Sequence, residues 1–181
     1  FTGCSAPAES ESGAALPDVV GSMDIRYAEQ FSVDYLADGS ALAEVADGRR
    51  YLIIPDGGEV PEQLPEDVTV ISQPENIYLA SSSSMDLFSS LDCLGDILAS
   101  STPESGWKLP EIAQAMADED ILYAGKYSSP DIELLMSEGC DLAIENMMIY
   151  HSPKTAEQIE SCGIPVFIER SSAESHPLGR L

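Results

Sequence analysis

Residues 124–145 read AGKYSSPDIELLMSEGCDLAIE, and this stretch decides how the chain around it is read. Ser129 suits an N-cap, and Pro130 suits the first helical position, where its missing N–H is not needed. Asp131 and Glu133 fall in the first turn, where the helix dipole favours negative charge. Ile132, Leu135 and Met136 repeat at i, i+3 and i+4, which predicts one buried face with Glu133 and Ser137 turned away from it. Gly139 can end the helix in a left-handed conformation. Asp141 to Ile144 is then short and apolar, as a strand covered on both faces should be.

The same alternation of strand and helix extends in both directions, which is the signature of a parallel sheet. Val68–Ile71 and Ile77–Ala80 read as short strands. Ser81 to Ser84 follow at once, then a helix over Met85–Leu91 with Leu87, Phe88 and Leu91 on one face. Ser83 and Asp86 fit a capping box with Asp in place of Glu. Thr102–Gly106 is loop, with Trp107 after it. Pro110–Ala117 reads as a helix and Ile121–Tyr123 as a strand. Ser152-Pro153 opens a helix that turns Ala156, Ile159 and Cys162 inward, Gly163 ends it, and Ile164–Ile168 is the last strand. Upstream, Arg26–Leu36, Ala41–Val45 and Arg50–Ile54 predict antiparallel strands joined at Asp38-Gly39 and Asp47-Gly48. Residues 55–67 are rich in Pro, Gly and acid and read as loop. The expected fold is α/β: a Rossmann-like lobe with a short central parallel sheet flanked by helices (68–181), preceded by an antiparallel β-meander (23–67).

Composition narrows the function. The 181 residues suffice for one domain with a real core, and an apolar fraction of 44% is ordinary for a globular chain. The net charge is −24, from 32 acids against 8 bases. Neutralising phosphates needs Lys and Arg, so a nucleic-acid partner is excluded, as is polybasic attraction to anionic lipid. No apolar run approaches the roughly 18 residues that span a bilayer. Cys4, Cys93, Cys140 and Cys162 form no close pair and no zinc-ligand spacing. Cys140 and Cys162 sit beside apolar elements and read as small core residues.

The chain opens Phe1-Thr2-Gly3-Cys4-Ser5, which looks like the end of a lipoprotein signal peptide with Cys4 as the lipidated residue. Residues 5–22 are small and polar without periodicity, as a tether of roughly 25 Å end-to-end distance should be. Acyl chains on Cys4 would hold the protein at the membrane.

Three segments together resemble the substrate-binding lipoproteins of bacterial ABC importers, in the helical-backbone class that takes up vitamin B12, haem and ferric siderophores. The first is the apolar strand, Ser-rich turn and helix over 77–91. The second is the helix with Glu133 followed by Gly139-Cys140-Asp141 and an apolar strand, with Cys140 where Pro is commoner. The third is Glu157-Gln-Ile-Glu-Ser-Cys-Gly-Ile-Pro-Val166, the most specific local match. The resemblance covers about residues 68–181. It implies an extracytoplasmic solute-binding component that is not an enzyme and carries no cofactor. Such a component is lipid-anchored at the cell surface or in the periplasm, on the outer face of the cytoplasmic membrane. It also implies ABC permease subunits as partners, with Glu133 docking on a permease arginine, and a ligand of the iron-chelate, haem or corrinoid type. Family members join two such lobes by a long helix. Ser171 to Leu181 stops where that helix should begin, so the chain reads as the first lobe only.

In open parallel sheets ligands bind outside the carboxyl ends of the strands. The loops there offer Ser82 and Ser83, Lys126 and Tyr127, Glu145 and Asn146, and Arg170 and Ser171, with Trp107 near them. Hydroxyls, aromatic surface, a carboxylate and two cations suit a bulky ligand held by stacking and a few polar contacts. A catalytic reading has less to stand on. There is no G-x-S-x-G elbow, phosphate loop or dinucleotide fingerprint, and His151 and His176 have no signalled nucleophile. So few histidines argue against direct capture of a bare metal ion, and no metal ligands are expected. The alternatives are a small surface-anchored α/β hydrolase and a single-lobe interaction module acting through its acidic surface.

Overall fold

The computed structural model describes residues 15–180, so Cys4 and most of the expected tether lie outside the described residues. Along the chain, β1 (Val19–Ser22), β2 (Phe31–Leu36), β3 (Ala41–Val45) and β4 (Arg50–Ile54) form an antiparallel meander, each strand paired with the next. Gly39 and Gly48 take positive φ of 88° and 89° at the two Asp-Gly turns, where a side chain would be strained. Strand β1 falls within the stretch expected to be tether. Every residue in it is exposed, so it is held by backbone pairing to β2 and leaves no burial pattern in the sequence.

β5 (Val68–Ser72) was expected to open the parallel sheet. It instead pairs with β4, in parallel, and completes the meander sheet as its fifth strand. Loop 55–67 carries the chain back to the start of β4, the length a parallel connection requires.

β6 (Ile77–Leu79) starts the second sheet. It is followed by α1 (Met85–Ser90), β7 (Ile97–Ser100), α2 (Pro110–Ala117) and β8 (Leu122–Tyr123). A two-residue hairpin, β9 (Gly125–Lys126) and β10 (Ser129–Pro130), leads into α3 (Ile132–Ser137), β11 (Leu142–Asn146), α4 (Pro153–Ser161) and β12 (Val166–Glu169). This sheet is parallel throughout, in the order β12-β11-β6-β7-β8. Its two faces read out from the register. Tyr78, Ala143 and Val166 lie side by side beneath Leu135 of α3 and Ala156 and Ile159 of α4. Leu79 and Ile144 lie on the other face, in one cluster with Met85 of α1, Ile112 and Met116 of α2, and Tyr51 of the meander. The Tyr51 ring sits 4.9 Å from that of Phe167, and its hydroxyl donates to the Val166 carbonyl at 3.1 Å. No helix among the described residues is long and apolar enough to cross a membrane.

Two helices depart from the expected details. Asp131, not Ser129, caps α3: its Oδ1 accepts from the Leu134 N–H at 3.0 Å. Ser129 and Pro130 are committed to the β9–β10 hairpin, which leaves the capping position to the next polar residue. Leu135 is fully buried there, but Met136 is 55% exposed. In α1 the buried residue is Met85, while Leu87 and Leu91 are exposed. The capping box does not form, because a 3-10 turn over Ser82–Ser84 precedes the helix and the Ser83 hydroxyl bonds Glu169 instead.

The last described segment is latched to the first sheet. Glu174 is buried, and its carboxylate accepts from the Glu29 N–H at 2.8 and 3.1 Å and from the Gln30 N–H at 2.9 Å. Gly179 passes so close that a Cβ would lie 2.7 Å from the Tyr27 carbonyl oxygen. Glu174→Ala strands two backbone donors and is expected to cost about 3 kcal/mol, read as a lower urea midpoint at unchanged m-value. Glu174→Gln, which keeps one acceptor, should recover part of that loss.

Candidate functional site: a cleft at the carboxyl ends of the strands

From β6 the chain builds outward through β7 and β8, then returns to the opposite side of β6 for β11 and β12. The loops leaving β6 and β11 therefore diverge, and a crevice is left at that switch point. A cleft of about 550 Å³ lies beside it, on the sheet face shared with α1, at the carboxyl ends of β6 and β12 and under the meander. Gln30, Phe31 and Val45 of the meander side face Leu87 and Phe88 of α1 across it, over a floor that includes Ile144 and Phe167. Residues 169–172 and Arg180 complete the rim.

The walls are mainly apolar, and the polar groups are ordered. Glu169 Oε1 accepts from the hydroxyls of Ser81 at 2.7 Å and Ser83 at 3.3 Å, while Oε2 accepts from the Ser171 N–H at 2.8 Å. Arg170 donates from Nε to Gln30 at 3.1 Å and from Nη1 to the Tyr150 hydroxyl at 3.1 Å, with its guanidinium 6.0 Å from the Tyr150 ring centroid. Tyr150 donates onward to Asp47. Burial and the Asp47 carboxylate push the Tyr150 hydroxyl up from its ordinary value, so it stays a donor. One chain of hydrogen bonds thus runs from the meander to the carboxyl end of β12.

Of the residues expected at the site, Ser83, Arg170 and Ser171 line the cleft. Ser82 is exposed and outside it. Trp107 packs against the core, and its indole N–H donates to the Thr102 carbonyl at 3.2 Å. Lys126 is exposed in β9, and Tyr127 packs beside α3 and α4. The Asn146 side chain accepts from the Met148 N–H at 2.8 Å and caps a 3-10 turn. Glu133 is exposed in the first turn of α3. Sequence reasoning missed Phe31, Phe167, Glu169 and Arg180. Glu169 could have been found, because it ends an apolar strand directly before Arg170. Nothing in the sequence said that the meander would fold over this edge and bring Phe31 with it.

Glu145 is the largest departure. The sequence places it at the start of a loop, but β11 continues through Asn146, so strand alternation turns Glu145 toward the face beneath α3 and α4. It is fully buried, and neither carboxyl oxygen has a hydrogen-bond partner. The Tyr78 hydroxyl on the same face is also without one. Burial pushes the Glu145 carboxyl up to about 8, so it is neutral at pH 7. No group of three or more His, Cys, Asp or Glu side chains among the described residues is arranged to hold a metal ion.

No protein-family model matches this chain, and no curated protein sequence matches it.

Because Glu145 holds its proton more tightly folded than unfolded, its contribution to stability is full below its ordinary value of 4.5 and is lost as pH rises toward about 8. Wild-type stability should therefore fall relative to Glu145→Gln by about 1.4 kcal/mol per pH unit across that window. Urea denaturation of both proteins at successive pH values measures the slope. Parallel curves would show that Glu145 ionises freely in the fold.

Proposed function

We propose that this chain is a solute-binding lobe, the ligand-capturing part of an extracytoplasmic ABC-importer component. In this reading Cys4 is lipidated, the lobe stands on the outer face of the membrane, and Glu133 docks on the permease. The cargo is an iron chelate, haem or corrinoid-type molecule. The observation that carries the reading is the cleft itself: largely apolar, at the carboxyl ends of β6 and β12 and next to the sheet's switch point. The exposure of Glu133 is compatible with docking.

The hydrolase alternative finds less support in the same place. The serine hydroxyls at the cleft face a carboxylate, and neither His151 nor His176 lines it. His176 instead stacks on Tyr27, with ring centroids 4.6 Å apart.

Trp107 lies outside the cleft, so ligand binding is better followed by calorimetry than by its fluorescence. Haem, cobalamin and ferric siderophores are titrated in turn, and one of them should bind saturably. With that cargo, Glu133→Arg in the lipidated protein should abolish transport into cells while leaving the binding constant within about twofold. Equal loss of binding and transport would remove the docking role, and failure of all three cargoes to bind would remove the cargo class.

A further inference from the structure

The charges at the cleft are not all alike. The chain has five arginines and a net charge of −24. Arg49 pairs with Glu160 at 3.0 Å and Arg50 with Asp67 at 2.9 Å. Among the described residues Arg26, Arg170 and Arg180 form no ion pair with a carboxylate, and the last two line the cleft. A guanidinium has five N–H donors, and Arg170 gives two of these to neutral acceptors, Gln30 and Tyr150. Its position is thereby fixed without a direct carboxylate contact.

The carboxylates nearby are in the opposite condition. Glu169 already accepts from two hydroxyls and a backbone N–H, and Glu174 is occupied by the N–H groups of Glu29 and Gln30. Asp86 is exposed at the rim, in the first turn of α1. Glu169 and Glu174 are thus committed to donors of this chain and Asp86 opens to solvent, while the two guanidinium groups keep donors that no carboxylate takes. Apolar surroundings strengthen a charge-assisted hydrogen bond relative to water.

We propose that the cleft takes an amphipathic anion: an apolar body against Phe31, Leu87, Phe88 and Phe167, with one acidic group held by Arg170 and supported by Arg180. This rests on the cleft being the ligand site, but not on the importer assignment. Arg170 acts as the anion anchor, and Gln30 and Tyr150 are positioning residues that hold its guanidinium. Unengaged donors facing a neutral ligand would lose their water without recompense, so a neutral analogue of the same body should bind less well.

The test uses two fluorescent probes that differ by one sulfonate, anilinonaphthalene sulfonate and neutral N-phenylnaphthylamine. Both are titrated into the full chain at physiological ionic strength. The sulfonate should bind about tenfold more tightly than the neutral probe. Arg170→Gln should erase that preference and Arg170→Lys should keep part of it. Arg180→Gln, at an exposed position that leaves the fold intact, should weaken the sulfonate alone. Leu87→Ser should weaken both probes. Equal affinity for the two probes, reduced by Leu87→Ser but indifferent to both arginine variants, would overturn the anion proposal and leave the cleft as the ligand site. Indifference of both probes to Leu87→Ser and to the arginine variants would overturn the cleft reading, and the proposal with it.

Discussion

Tyr51 holds the two sheets together. Its ring packs against Phe167 and its hydroxyl reaches the Val166 carbonyl, so a residue of the meander is bonded to the edge strand of the parallel sheet. Burial pushes the Tyr51 phenol up from its ordinary value, which keeps it a donor over the accessible pH range. The cleft depends on the two sheets being held in this way. Without the meander lying across β12, the parallel sheet would present an open edge and a shallow crevice. With it, Phe31, Val45 and Gln30 become one side of an open cleft, and Arg170 acquires the acceptor that orients it.

The interface has an apolar centre and a polar margin. Val33, Val45, Tyr51 and Ile71 of the meander share one cluster with Leu79, Ile112 and Ile144 of the α/β part. Around that centre run the Arg49–Glu160 pair, the Tyr150–Asp47 hydrogen bond and the Glu174 latch. The ion pair is exposed and contributes little to stability. The buried carboxylate of Glu174 is different, because its partners are backbone donors that have no other acceptor.

Much of the architecture was legible because local chemistry announced it. The Asp-Gly turns required left-handed backbone, and Gly139 and Gly163, at φ of 74° and 81°, end their helices as their positions implied. Alternation of apolar strands and capped helices identified the α/β part. What was hidden was any feature decided by tertiary partners. Val68–Ser72 is a short apolar run that would look the same in either sheet, and only the return path of loop 55–67 assigns it to the meander. Strand β1 buries nothing, so it has no pattern to read. At Glu145 an error of two residues in the strand's end moved a carboxyl from a solvent loop to the core, because side chains alternate faces. The cleft was legible in half: its Ser83, Arg170 and Ser171 belong to strand-end loops that a general rule identifies, whereas Phe31 arrives from an unrelated part of the chain.

The Glu174 latch also sets an order of events. Its partners are separated by 144 and 145 residues, and the neighbouring ties of Arg170 to Gln30 and Tyr51 to Val166 span 140 and 115. Contacts of such separation make a fold slow to nucleate, since the loop must close before the contact repays it. A chain emerging from its amino end can pair β1 to β5 early, but the apolar face of that sheet stays uncovered until residues 79–144 are made, and the Glu29 and Gln30 donors wait longer still for Glu174. During synthesis the meander is therefore the part that stays longest without its partners, and the Glu174 latch is the last of those ties to close.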